Sequence, residues 1–129
     1  NLVPAMRAGA YGLRHGKILT LYPEGERSID GTPKVFKKGA AILATHLQVP
    51  IVPVALEGFH QSWPRGKKFQ GFKKLRLMFG DPIQPPQVGS DAAYTQLTAE
   101  VRARVVEMWE KLRGEHQPAE SKERAEAAD

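Results

Sequence analysis

The sequence predicts an α/β fold with a partial, mostly parallel sheet, flanking helices and a long carboxyl-terminal helix. Short apolar segments alternate along the chain with segments whose apolar residues recur every three or four positions. One helical segment lies between two of the apolar ones, so it can cross from a strand to a parallel neighbour. The last helical pattern is the longest and runs from residue 91 to residue 113.

The amino-terminal segment predicts a helix, a strand and a loop. The helix covers residues 3–14, where apolar residues lie four and three positions apart and a glycine follows. These residues are Met6, Ala10, Leu13 and Gly16. Residues 17–22 are mostly apolar, as in a short strand, and Pro23 ends them. Residues 23–34 contain two prolines and two glycines, which favour a loop.

A second helix and a second strand follow. The helix is predicted over residues 35–47, with an apolar stripe of Phe36, Ala40, Leu43 and Leu47. Residues 51–56 are apolar throughout, which predicts a strand buried on both faces. Because the helix connects residues 17–22 to residues 51–56, we expect these two strands to be parallel.

The carboxyl-terminal part predicts a loop, a strand and the long helix. Residues 57–72 are rich in glycine and lysine and form the loop, and residues 73–79 alternate as a strand. A proline-rich connector over residues 82–89 leads to the helix at residues 91–113. The stripe of this helix is Tyr94, Leu97, Val101, Val105, Met108 and Leu112.

Length and composition limit the chain to one globular domain and a tail. The 129 residues are 41% apolar and include no cysteine, which excludes disulfides and thiolate chemistry. Residues 114–129 hold five acidic side chains against Lys122 and Arg124, within a chain of net charge +5. We therefore predict a domain over residues 1–113 and a charged tail, disordered or a frayed helix, over residues 114–129.

The densest positive charge lies between residues 65 and 76, a range without any acidic side chain. The cations of this basic run that we assign to a membrane surface are Arg65, Lys67, Lys68, Lys73 and Lys74. Such a run attracts phosphates of lipid headgroups, nucleic acid or metabolites, and it can also be plain solubilising charge. No nucleic-acid-binding motif surrounds it, so we expect no nucleic-acid partner.

The loop after the first predicted strand holds the residues with the clearest chemistry. Glu24, Gly25, Arg27 and Ser28 would lie at the carboxyl end of a strand, where α/β sheets bind ligands. An arginine there can bind a phosphate with two hydrogen bonds, and a glycine lets a ligand approach the backbone. The alternative is a turn in which Glu24 and Arg27 form an ordinary salt bridge.

Four blocks in order resemble the glycerophospholipid acyltransferase family, of the 1-acylglycerol-3-phosphate acyltransferase type. Tyr-Pro-Glu-Gly-Glu-Arg-Ser at residues 22–28 resembles the family's Phe-Pro-Glu-Gly-Thr-Arg-Ser block. Phe-Lys-Lys-Gly-Ala at residues 36–40 stands where the family has Phe-Lys-x-Gly-Ala. The apolar strand at residues 49–55 and Phe-Gly-Asp-Pro-Ile at residues 79–83 match the two blocks that follow.

The chain departs from the family pattern at two places. No histidine is followed five positions later by aspartate, so the family's reactive His-x-x-x-x-Asp pair is expected upstream of Asn1. The resemblance then covers the carboxyl-terminal portion of an acyltransferase domain, which would be inactive alone. The family's usual threonine is Glu26 here, and this adds a negative charge beside the expected phosphate site.

The resemblance implies acyl transfer from a thioester, on coenzyme A or acyl carrier protein, to the hydroxyl of a lysophospholipid or glycerol phosphate. By analogy Arg27 holds the acceptor phosphate, Glu24 and Gly25 shape its pocket, and Pro53 backs the site; Ser28 is predicted to bind substrate beside them. We expect no cofactor, no bound metal, and a peripheral position on the cytoplasmic face of a membrane. The alternative is a non-catalytic module that binds anionic lipid or phosphate through Arg27 and the basic run.

Overall fold

A computed structural model describes the backbone of residues 2–128, and the side chains of residues 3–115, 127 and 128. Four helices and two strands follow one another along this part of the chain. They are α1 (Leu2–Arg14), α2 (Gly39–Leu47), β1 (Val54–Glu57), α3 (Phe59–Ser62), β2 (Arg76–Phe79) and α4 (Asp91–Glu126). The α/β class and the long carboxyl-terminal helix are thereby confirmed.

The two strands pair antiparallel, whereas the parallel pairing predicted from the sequence was between residues 17–22 and 51–56. Val54 lies opposite Phe79 and Glu57 opposite Arg76, and an isolated bridge joins Ile51 to Ile83 beyond the ladder. The chain turns back through the segment between β1 and β2 without crossing over a sheet face, so the strands run in opposite directions.

The predicted strand at residues 17–22 has no regular secondary structure and joins no sheet among the described residues. A strand is stabilised by a ladder of hydrogen bonds to a neighbouring strand. No such ladder joins residues 17–22 to another segment of the described residues. Ile18 and Tyr22 are accordingly 95% and 72% exposed. The prediction that β1 is buried on both faces is also wrong, because its residues alternate between buried and half-buried.

The stripe of α4 forms the core, as the sequence predicts. Its first half packs with Phe36, Ala41 and Ile83, and its second half packs with Ala55 beneath the hairpin. The fully or nearly buried residues of the stripe are Leu97, Val101, Met108 and Leu112. A single helix therefore supports both α2 and the β-hairpin, because its apolar residues recur on one face.

The helix boundaries differ from the predicted ones at two places. The second helix begins at Gly39, and residues 33–37 before it have no regular secondary structure. The backbone of α4 continues to Glu126, through most of the predicted tail. The side chains of residues 116–126 lie outside the described part of the chain, so the division at residue 114 stays a prediction. No helix in the described residues is long and apolar enough to cross a bilayer.

Candidate functional site

The loop of residues 23–34, here called the Glu24 loop, is closed by its own hydrogen bonds. The backbone N–H of Lys34 donates to Glu24 Oε2 at 2.8 Å, ten residues apart in sequence. At the base of the loop the N–H of Lys37 donates to the carbonyl of Pro23 at 2.8 Å. The half-buried Glu24 carboxylate is thus used to hold the two arms of the loop together.

Ser28 also acts within the loop. Its Oγ accepts the N–H of Gly31 at 3.0 Å and lies 2.8 Å from the carbonyl of Thr32 and 2.9 Å from Asp30 Oδ1. Asp30 accepts further hydrogen bonds from the backbone and side chain of Thr32. The backbone N–H of Thr32, followed by the hydroxyls of Thr32 and Ser28, holds the pKa of the Asp30 carboxyl well below its ordinary value. Glu24 and Ser28 therefore contact the backbone of the loop, and their roles in a substrate pocket stay predictions.

Arg27 is exposed, and its guanidinium lies over the ring of Trp63 with Cζ 5.5 Å from the ring centroid. It forms no salt bridge with any carboxylate of the described residues. The Glu24–Arg27 salt bridge considered from the sequence is therefore not formed. A guanidinium over an aromatic face is attracted by a cation–π interaction, and its N–H groups can still donate hydrogen bonds to a phosphate.

Glu26, the residue in place of the family's threonine, forms salt bridges with Lys34 at the end of the loop and with Arg65 of the basic run. Arg65 Nη1 lies 2.9 Å from its Oε2, and Lys34 Nζ lies 3.7 Å from its Oε1. The positive charge of Arg65, its hydrogen bond and the charge of Lys34 lower the pKa of the Glu26 carboxyl. Arg65 also donates to the backbone carbonyl of Arg27 at 3.3 Å, so it joins the basic run to the Glu24 loop.

Lys37 is a candidate site residue that the sequence reasoning missed. Its Nζ lies 2.6 Å from the position that a Cβ on Gly25 would occupy, so the ammonium rests against the glycine of the loop. Gly25 has φ +73°, a conformation that glycine adopts without strain. Lys37 is exposed and has no carboxylate partner in the described residues. Its place in the Phe-Lys-Lys-Gly-Ala block was a signal that could have found it.

An open cleft of about 410 Å³ lies beside the loop. It is lined by Glu24, Glu26, Pro33, Lys34, Val35 and Arg102. Arg102 donates from Nε to the carbonyl of Lys34 at 2.8 Å, and so ties α4 to the end of the loop. Arg27 is not among the residues that line the cleft, because its side chain lies over the ring of Trp63.

Pro53 is not brought to the loop surface. Its side chain is fully buried, its carbonyl accepts the N–H of Gly80 at 2.9 Å, and a Cβ on Gly80 would meet its ring. A residue so placed can influence a ligand only through its neighbours, and its role behind the site stays a prediction.

The basic run divides into two parts in the structure. Arg65 is held by Glu26, whereas the other predicted membrane-surface cations are exposed and form no salt bridge with the described residues. These four exposed lysines are Lys67, Lys68, Lys73 and Lys74. The described residues contain no group of three histidine or acidic side chains arranged to hold a metal ion.

Comparison with known proteins relates this chain to one protein family. A family model described as Acyltransferase matches residues 4–57. The 1-acyl-sn-glycerol-3-phosphate acyltransferase of Limnanthes douglasii is 48% identical over 48 residues, which cover 37% of this chain and 17% of that protein. A chloroplastic 1-acyl-sn-glycerol-3-phosphate acyltransferase of Arabidopsis thaliana is 33% identical over 96 residues, which cover 74% of this chain and 25% of that protein.

Among solved structures, the 1-acyl-sn-glycerophosphate acyltransferase PlsC of Thermotoga maritima superposes with a TM-score of 0.74 at 29% identity. The match covers 84% of this chain and 44% of that one. The sequence matches and the superposition thus agree on one family of proteins. The chain belongs to the acyltransferase family of the 1-acylglycerol-3-phosphate type, and it spans less than half the length of these relatives.

Proposed function

We propose that this chain supplies the acceptor-phosphate-binding half of an O-acyltransferase. The acyl group comes from a thioester of coenzyme A or acyl carrier protein, and the acceptor is a lysophospholipid or glycerol phosphate. The acceptor oxygen forms an ester bond with the acyl carbon while the carbon–sulfur bond breaks. The hydroxyl proton reaches the leaving thiol by way of a general base.

One observation supports this proposal most directly. The Glu24 loop uses its carboxylates within the loop or on Arg65 and Lys34, and leaves Arg27 and Lys37 without carboxylate partners in the described residues. Arg27 in the loop and Lys37 against its Gly25 suit a phosphate dianion, because each cation can donate charge-assisted hydrogen bonds. Arg27 is the proposed primary phosphate ligand, and Lys37 is a second one.

Acyl transfer requires a general base, which in the family is the histidine of the His-x-x-x-x-Asp pair. None of the four histidines of this sequence has an aspartate at that spacing. We propose that the His-x-x-x-x-Asp pair belongs to residues upstream of Asn1, and that the 129 residues alone bind the acceptor phosphate without turnover.

The test is a kinetic one on the full-length protein. Arg27→Ala and Lys37→Gln should raise the acceptor KM with a smaller effect on kcat, by about tenfold for each lost charged hydrogen bond. Arg104→Ala, which removes an exposed arginine on α4, is the matched control and should leave the KM unchanged. An unchanged KM in both site variants would contradict the assignment. Phosphate binding without any thioester release would instead favour the non-catalytic module.

We further propose that the protein is peripheral to the cytoplasmic face of a membrane and that the four exposed lysines face anionic lipid. Replacing Lys67, Lys68, Lys73 and Lys74 by glutamine should weaken flotation with phosphatidylglycerol vesicles, because each lysine near such a surface contributes about 1 kcal/mol. The control replaces four exposed cations elsewhere, Arg7, Lys17, Arg104 and Lys111, by glutamine. If both variants lost vesicle binding equally, the binding would depend on net charge alone, and the four exposed lysines would have no specific role.

A further inference from the structure

Three aromatic rings form an exposed cluster between α3 and β2. Trp63 and Phe69 lie 6.1 Å apart between ring centroids, and Phe69 and Phe72 lie 5.2 Å apart. The rings meet edge to face, at 76° and 74°. They remain 55%, 47% and 94% exposed, so this aromatic cluster is assembled at the surface and outside the core.

The segment that presents the aromatic cluster is ordered by hydrogen bonds to one buried residue. The N–H of Gln70 donates to the carbonyl of Ser62 at 2.8 Å, and the N–H of Lys73 donates to Ser62 Oγ at 3.2 Å. Ser62 is 7% exposed and ends α3. The conformation of this hydrogen-bonded loop therefore keeps the three rings exposed at the surface.

The surroundings of the aromatic cluster are positive. Lys67 and Lys68 lie between Trp63 and Phe69 in the sequence, and Lys73 and Lys74 follow Phe72 directly. All four lysines are exposed, and no acidic residue occurs from residue 65 to residue 76. Aromatic rings bind at the headgroup level of a bilayer, while lysines beside them meet lipid phosphates. Exposed apolar surface bordered by charge marks an interaction site.

We propose that Trp63, Phe69 and Phe72 insert into the headgroup region of an anionic lipid leaflet. Because Arg27 lies over the ring of Trp63, insertion brings the Glu24 loop to the depth of the lipid phosphates. The acceptor is then taken directly from the leaflet. This last step rests on the proposed function, in which Arg27 binds the acceptor phosphate.

The ring geometry favours a lipid surface over single-stranded nucleic acid. Successive bases stack on aromatic faces that are open to them. Here each neighbouring pair of rings meets edge to face, so one face in each pair is covered by the edge of the next ring. Insertion into a lipid leaflet does not require open ring faces. It requires only exposed apolar surface, which the three packed rings provide.

The binding experiment uses the full-length protein with Trp63 as the only tryptophan, Trp109 and any others being replaced by phenylalanine. Vesicles of phosphatidylglycerol and phosphatidylcholine should shift the emission of Trp63 to shorter wavelength, and brominated acyl chains should quench it. Phe69→Ala and Phe72→Ala should each weaken vesicle binding by about tenfold, the value of burying one phenyl ring. Tyr11→Ala, on an exposed aromatic of α1, is the matched control and should not weaken it.

Acceptor solubility separates this inference from the proposed function. In Phe72→Ala, acyl transfer to vesicle-borne lysophospholipid should fall while transfer to glycerol 3-phosphate or a short-chain soluble acceptor stays unchanged. An emission of Trp63 that vesicles do not alter would overturn the inference, as would displacement of the vesicles by an oligonucleotide. A protein that binds vesicles through the cluster but transfers no acyl group would contradict the proposed function and leave the insertion intact.

Discussion

Glu24 and Lys34 are joined by a hydrogen bond of 2.8 Å from the backbone N–H of Lys34 to the Glu24 carboxylate. This bond spans ten residues and makes the Glu24 loop a closed structure, with Arg27 at its outer part and Lys37 against its glycine. Glu24 thus acts on the conformation of the loop, and Arg27 and Lys37 are left without carboxylate partners among the described residues.

Removing the Glu24 acceptor should destabilise the protein. In Glu24→Ala the partly buried N–H of Lys34 has no partner, which costs about 1–3 kcal/mol in the free energy of unfolding. Glu24→Gln keeps an oxygen that can accept the bond and should lose much less. Urea unfolding of both variants measures the difference, and equal stability of Glu24→Ala and the wild type would show that the bond contributes nothing.

A side chain at position 25 should disturb both the backbone and Lys37. Gly25→Ala must adopt φ +73°, which costs about 1–2 kcal/mol for a residue with a Cβ. Its methyl group would also displace the Lys37 ammonium from its position 2.6 Å away, so the acceptor KM should rise further. Gly114→Ala is the contrasting variant, because Gly114 lies in α4 with open space around it. There alanine should stabilise the helix by about 0.5–1 kcal/mol.

The Asp30 network predicts a dependence of the loop on acid pH. The folded-state pKa of Asp30 lies below the ordinary value of 3.8, so its contribution to stability is present above that pH. It is lost progressively as the pH falls below 3.8 towards the folded-state value. The amide resonance of Thr32, followed by NMR, should therefore begin to move only below this pH. Asp30→Asn keeps an acceptor oxygen and should abolish the transition; a midpoint above 3.8 in the wild type would contradict the lowered pKa.

The two core clusters along α4 should unfold together. Leu97 is 3% exposed in the first cluster and Leu112 is 4% exposed in the second. Alanine at either position removes buried methyl groups and leaves a cavity, which costs about 2–5 kcal/mol. Val88→Ala, at a residue 79% exposed, should change the unfolding free energy by less than about 0.5 kcal/mol. A much smaller loss for Leu112→Ala would show that the two halves unfold independently.

The sequence alone determined the α/β class, the stripe of α4 and the loop that holds Arg27. A helix stripe is readable because its residues lie three and four positions apart and must share one face. The tertiary structure decided the antiparallel pairing of β1 with β2, the contact of Lys37 with Gly25, and the salt bridge between Arg65 and Glu26. Each of these joins residues 12 to 39 positions apart, and no periodicity along the chain records which distant segments will meet.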